Sequence, residues 1–304
     1  MRSKDYKIGM LCAIFSALTW GFLPIYWQAL RPVDSVVIIF YRIIFVAIVT
    51  FIASLKLYGM EGIKAPLRIK GNKLKFFLAG LLITLNWSIY IAAVNADFVI
   101  QTCIGYYIEP IIISVFGVML FNEKLGKYKT IALGFAVAGV VMMLAYYREI
   151  PIIALSIAVT FAMYTAIKKS YRLEAILSLL YETMFLVPVA LGMVVYYEVN
   201  GMGAFGVASN FQIFLLSLIG FCTAVPLILF TMGANRITMV NLGIIEYISP
   251  SITLLLGIFL FKEAFDSVQF FSFVVIWIGL VFFTYGEYKK VESCPGFQES
   301  PSGR

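Results

Sequence analysis

The chain has 304 residues, 62% of them apolar and 13% charged, and its mean hydropathy is +0.96. That mixture excludes an ordinary soluble domain and places the chain in a bilayer. The net charge of +7 sits in short connections, which suits membrane topology and not nucleic-acid binding, while the lack of histidine removes histidine zinc sites, bases and proton relays.

A spanning helix needs about 20 mostly apolar residues, and ten such stretches are expected at 8–30, 34–55, 75–95, 98–121, 128–146, 150–167, 174–197, 211–235, 239–261 and 268–287. Arg2, Lys4 and Lys7 before the first stretch resemble the start of a signal peptide, but the apolar run is too long and no small-residue cleavage site follows. It is expected to remain as the first span, with Trp20 inside it. Arg42 is a cation within the second span and is expected to form an ion pair with an intramembrane carboxylate. The connection 56–75 carries Lys56, Lys64, Arg68, Lys70, Lys73 and Lys75, which suits anionic lipid headgroups at about 1 kcal/mol each.

In the third span Trp87 and Tyr90 share a helix face with Asn86, and the short turn Asn95-Ala96-Asp97 follows. The fourth span carries Gln101, Tyr106, Tyr107, Glu109 and Pro110, and Glu123 just beyond it is expected to cap the next helix. Glu182 in the seventh span is either a proton carrier or half of a structural pair. Residues 198–210, with Gly201, Gly203 and Gly206, read as a flexible loop, and Arg236 after Asn235 as a topological charge or helix-end cap. The ninth span carries Asn241, Glu246, Tyr247 and Pro250, and Glu263 follows it. The tail 291–304, rich in Ser, Pro and Gly, is expected to be disordered.

Residues 107–141 match 247–281 without a gap, with ten identities that include Tyr107/Tyr247, Pro110/Pro250, Gly117/Gly257, Glu123/Glu263 and Gly139/Gly279. The chain is therefore expected to be an internal duplication, with one repeat at 1–146 and the other at 150–290. Five spans per repeat is an odd number, so the second copy enters the membrane from the opposite side. With the N-terminus inside, alternate connections hold 19 of the 23 Lys and Arg residues, which predicts both termini in the cytoplasm. The fold expected is an all-α integral membrane protein with ten transmembrane helices in two inverted five-helix repeats.

Two inverted halves that exchange conformations expose one central site to each side in turn, which is the architecture of a secondary transporter. Charge inside a span is costly unless it faces a cavity or a partner, so Glu109 and Glu246 are expected at the substrate site, with Glu182 as a third proton-coupling candidate. Trp20, Asn86, Trp87, Tyr90, Gln101, Tyr106, Tyr107, Asn241 and Tyr247 are the expected lining, with packing and interfacial anchoring as the plainer alternatives. Pro110 and Pro250 read as hinges, or simply as kinks.

No Gly-rich phosphate loop, Gly-x-Ser-x-Gly elbow or aspartate-rich motif is present, so no catalytic residue, cofactor or ATP is expected. Cys12, Cys103, Cys222 and Cys294 lack metal or disulfide spacing. Expected partners are a small-molecule solute and membrane lipids, with no nucleic acid; a homodimer stays open. The alternative functions are a membrane-embedded enzyme or lipid-handling subunit acting on a hydrophobic substrate, and a passive channel.

The fragments Asn86-Trp87-x-x-Tyr90-x-x-x-Val94-Asn95, Gly105-Tyr106-x-Ile108-x-Pro110 and Leu120-x-x-Glu123-Lys124-Leu125 resemble the RarD group of EamA-type permeases in the drug/metabolite transporter (DMT) superfamily. Asn235-Arg236, Leu242-Gly243 and Tyr247-Ile248-x-Pro250 resemble that group's second-half signature, and the likeness covers about residues 6–288. It implies ten helices in inverted repeats, residence in a bacterial inner membrane, and secondary transport by export or exchange. Members of the group carry names tied to chloramphenicol sensitivity, which do not specify a substrate. Where the group's pattern implies amides near 109 and 246, this chain has Glu109 and Glu246, which favours an amine-bearing solute or a proton-coupled cycle.

Overall fold

The computed structural model describes residues 3–95, 99–148, 152–171, 173–261 and 266–292. Its helices are α1 (Ser3–Ala29), α2 (Ser35–Arg68), α3 (Asn72–Asn95), α4 (Val99–Phe121), α5 (Lys127–Tyr147), α6 (Ile152–Tyr171) and α7 (Ala175–Met184). There follow α8 (Val187–Val199), α9 (Ala204–Val207), α10 (Asn210–Arg236), α11 (Met239–Glu246), α12 (Ile248–Leu256), a π-helical turn (Gly257–Phe261) and α13 (Ser267–Glu292). No strand occurs among the described residues, in keeping with a backbone that must satisfy its own hydrogen bonds in lipid. Eight helices are long and apolar enough to cross a membrane, or nine if α7 and α8, bent by 55° against each other, make one span. Helix α3, with 24 residues, falls outside that set, so the expected ten spans are not all reached among the described residues.

Two local expectations are corrected. Helix α2 runs for 34 residues and bends at Gly59, whose φ of 65° is open to glycine, so Lys64 and Arg68 ride a helical extension instead of a loop. Ile63 on that extension is buried and its carbonyl accepts from Tyr181 Oη, so packing overrides the run of cations. The 198–210 connection is hydrogen-bonded and partly helical: Glu198 accepts from the Ala204 amide at 2.8 Å, α9 follows, and Ser209 with Gln212 forms a capping box on α10. Residues 293–304, and with them nearly all of the expected tail, lie outside the described residues, as do Ala96, Asp97 and Glu263.

The first and second halves of the chain interleave: α4 packs on α6, α1 on α10 and α12, α3 on α6, α2 on α7, and α5 on α13. A Cβ at Gly139 would lie 2.9 Å from the Ser272 carbonyl oxygen, and one at Gly279 2.9 Å from that of Ala132, so both glycines permit the close α5–α13 approach.

Side-chain bonds define the two ends of the bundle. One end gathers the basic connections and is heavily cross-linked: Tyr6 Oη donates to Glu287 at 2.5 Å, and Lys169 Nζ stands 3.2 Å from Glu123 and donates to the Ile237 carbonyl at 2.6 Å. The opposite end is tied at its edges, where Tyr41 Oη donates to Glu198 at 2.6 Å and Tyr147 Oη to Asp266 at 3.0 Å.

Candidate functional site

A cavity of about 530 Å³ lies among α1, α2, α3, α4, α6, α11, α12 and α13. Its lining reaches the exposed residues Gln28, Arg31 and Ser35, so it opens at the end opposite the basic one. Glu109 and Glu246 belong to its lining, while the residues between Glu246 and the basic end, Met239 to Ile245, are all buried. The chamber is thus open on one side of the bundle and sealed on the other.

Pro250 has no amide hydrogen for the carbonyl four residues earlier, that of Glu246, and the helix breaks between α11 and α12 at this point. The break turns the Glu246 region into the chamber. In the first half Pro110 sits within an unbroken α4, and its carbonyl accepts from Ser114 Oγ at 2.9 Å. Glu109 and Glu246 are 7% and 6% exposed, and they stand near enough for their charges to interact. Neither joins a salt bridge among the described residues, and Glu246 Oε1 is buried with no hydrogen-bond partner.

Arg42 also lines the chamber, and its expected ion pair with a carboxylate is corrected. Its guanidinium carbon lies 3.5 Å from the centre of the Trp87 ring and 5.7 Å from that of Trp27, with no salt bridge among the described residues. An aromatic face stabilises a desolvated cation without neutralising it, so this cation keeps its charge toward the chamber. Burial leaves Nε without an acceptor.

Of the other expected lining residues, Trp20, Asn86, Tyr90, Tyr106, Tyr107 and Pro250 border the chamber. Asn86 is also a brace, donating to the Ile157 carbonyl at 2.7 Å and to Thr160 Oγ1 at 3.0 Å. Two residues belong elsewhere. Asn241 lies toward the basic end, where its amide donates to Tyr6, and Tyr247 is packed in the core with Oη on the Tyr107 carbonyl at 2.9 Å. Gln101 lies on α4, with its side chain outside the described residues. Trp27, Gln28 and Arg31 were not anticipated; each is close to the end of α1, where sequence does not separate a lining residue from an interfacial anchor.

Glu182 is absent from the chamber, which corrects its candidacy as a proton carrier. It is 1% exposed and held by Lys168 Nζ at 3.0 Å, Tyr164 Oη at 2.9 Å, Tyr171 Oη at 2.8 Å and Ser178 Oγ at 2.5 Å. A carboxylate with that many donors is a structural group held by its partners. Glu123 caps a helix as expected, but not the one that follows it: it accepts from the amides of Met239 at 2.8 Å and Val240 at 3.0 Å, at the start of α11.

A sequence profile of the EamA-like transporter family matches residues 7–145. An uncharacterized transporter of Bacillus subtilis (strain 168), YojE, is 36% identical over 95% of this chain and 97% of its own length. Protein RarD of Streptomyces exfoliatus is 31% identical over 93% of this chain and 90% of its own, and protein RarD of Escherichia coli (strain K12) is 31% identical over 93% and 96%. A solved crystal structure superposes with a TM-score of 0.69, covering 94% of this chain and 98% of that one; at 16% identity it shares the fold.

Proposed function

We propose, because this chain belongs to the EamA-like transporter family and is a multi-pass membrane transporter, that it is a secondary active transporter. In this reading it moves a small organic solute across the bacterial inner membrane by alternating access. The basic end faces the cytoplasm with both termini, following the positive-inside bias of the connections. The structure is then the outward-facing state, closed toward the cytoplasm by Glu123, Lys169 and Glu287.

The observation that carries this reading is a one-sided chamber with two carboxylates, Glu109 and Glu246, in its wall, neither of them in a salt bridge among the described residues. Two inverted five-helix repeats account for the position of those groups, since Pro110 and Pro250 are equivalent in the duplication and each has a carboxylate within four residues. Exchange of the straight α4 and broken α11–α12 conformations between halves would turn the chamber toward the other side. A proton on one of the two carboxylates is released as solute binds and reloaded from the opposite side, which couples export or exchange to the proton gradient. Glu182 takes no part.

Proteoliposomes carrying the purified protein test this. Saturable solute counterflow, stimulated by an imposed pH gradient in the wild type and independent of it in Glu109→Gln or Glu246→Gln, is the expected result. Flux whose pH dependence is unchanged in both variants removes the coupling, and flux that does not saturate replaces the transporter by a passive pore.

A further inference from the structure

The helical extension of α2 beyond Gly59 lies at the basic end and takes no part in the chamber or its closure. From Ser35 to that bend α2 rises about 36 Å at about 1.5 Å per residue, more than a hydrocarbon core of about 30 Å. Residues 60–68 are therefore past the apolar slab. They do not project from the bundle. Ile63 packs with Phe76, near the start of α3, and with Leu177, Leu180 and Tyr181 of α7, and its carbonyl accepts from Tyr181 Oη. Asn72 Nδ2 closes the far end on the Pro66 carbonyl at 3.2 Å. The extension is a shelf fixed along the flank of the bundle at the membrane surface.

The face left over is cationic and apolar at once. Lys56, Lys64, Arg68, Lys70, Lys73 and Lys75 are all exposed, and Glu61 is the one carboxylate among residues 56–75. Lys64 and Arg68, four residues apart, share an edge of the extension with Met60. Arg68 also stands 3.2 Å from Glu61, a solvent-exposed contact that holds little energy and leaves guanidinium donors over. Between the cations, Leu57, Met60, Ile69 and Leu74 are exposed as well.

We propose that this shelf binds an anionic phospholipid of the leaflet at the basic end, with its phosphate among Lys64, Arg68 and Lys70 and its acyl chains against Leu57, Met60 and Ile69. Cations alone would suit any soluble anion, and apolar side chains alone any lipid. The two interleaved at the exit point of a spanning helix fit a molecule that is anionic at the surface and apolar just below it. The inference requires a membrane surface at the basic end and nothing of the chamber, so it stands or falls apart from the transport reading. Because the shelf is tied to α3 by Asn72 and to α7 by Tyr181, a lipid seated on it also holds that corner of the bundle together.

Thermal unfolding of the purified full chain in a neutral detergent, with phosphatidylglycerol, phosphatidylcholine or soluble glycerol 3-phosphate added, tests the proposal. Phosphatidylglycerol is expected to raise the midpoint by about 3 °C or more, with the other two leaving it within about 1 °C. Raising the salt from about 0.05 M to about 0.5 M should remove most of the rise. The triple variant Lys64→Gln, Arg68→Gln, Lys70→Gln is expected to lose more than half of it, and Lys64→Gln alone a smaller part. Lys124→Gln with Lys127→Gln, which removes two exposed cations elsewhere at the same end, should keep it. Without lipid all three variants should unfold near the wild-type midpoint, since only exposed side chains change. An equal rise with phosphatidylcholine would mean that any lipid serves, and an equal rise with glycerol 3-phosphate would make this a site for a free anion. Equal losses in the triple and the Lys124, Lys127 variants would mean diffuse attraction to the whole basic end. Each of these results overturns the proposal, as does no rise with phosphatidylglycerol.

Discussion

The Glu182 cluster and the open chamber bury carboxylates to nearly the same degree and treat them in opposite ways. Glu182 is surrounded by Lys168, Tyr164, Tyr171 and Ser178, whereas Glu246 has an oxygen with no partner and Glu109 joins no ion pair among the described residues. In a low-dielectric interior an ionised carboxylate is tolerated when donors replace its water. The Glu182 cluster has satisfied that condition internally and so is part of the scaffold. The chamber has not, and the missing partner must come from solute, water or a proton. Completeness of pairing, and not burial, separates the Glu182 carboxylate from those of the chamber, and on the proposed function it separates structural carboxylates from working ones.

Four substitutions bear on that contrast. Lys168→Met leaves Glu182 buried without its cation and is expected to cost about 3–5 kcal/mol, seen as a large drop in the detergent unfolding midpoint. A much smaller loss would mean the cluster is not scaffold. Glu123→Ala removes the carboxylate that caps α11 and holds Lys169, with an expected cost of about 1–2 kcal/mol. It should also raise the labelling of a cysteine placed at Ile237, next to this closure. Glu246→Gln should leave the unfolding free energy within about 1 kcal/mol of wild type, or raise it, since a group without a partner on one oxygen is replaced; what it should lose is the dependence of transport on the pH gradient. A stability loss as large as that of Lys168→Met would place Glu246 in the scaffold and erase the contrast. Glu61→Ala breaks the exposed Arg68–Glu61 pair, 68% and 74% exposed, and should change stability by less than about 0.5 kcal/mol.

Much of the chamber could be found from residue chemistry alone. Glu109, Glu246, Asn86, Trp87 and Tyr90 are polar or amphipathic groups inside apolar stretches, and the cost of placing them in lipid turns them inward. Trp27 and Arg31 escaped because a tryptophan or arginine at a helix end satisfies the interface equally well. Glu182 stayed open between proton carrier and structural pair for a related reason: Lys168 reads as a loop cation, yet it lies in the last turn of α6 and is 0% exposed.

Apolar length, charge bias and duplication are local or additive properties, and for that reason the helical, membrane-embedded character of the chain and the asymmetry of its connections could be read along the chain. A bilayer leaves the backbone only the helix or the closed barrel, and apolar runs of about 20 residues select the helix. Pairing is a different kind of property. Glu123 reaches the amides of Met239 and Val240, Tyr6 reaches Glu287, and Arg42 stacks on Trp87, partners distant along the chain that meet only after the helices have packed. Whether a buried charge is satisfied depends on positions within about 4 Å in space, and helix packing alone supplies those.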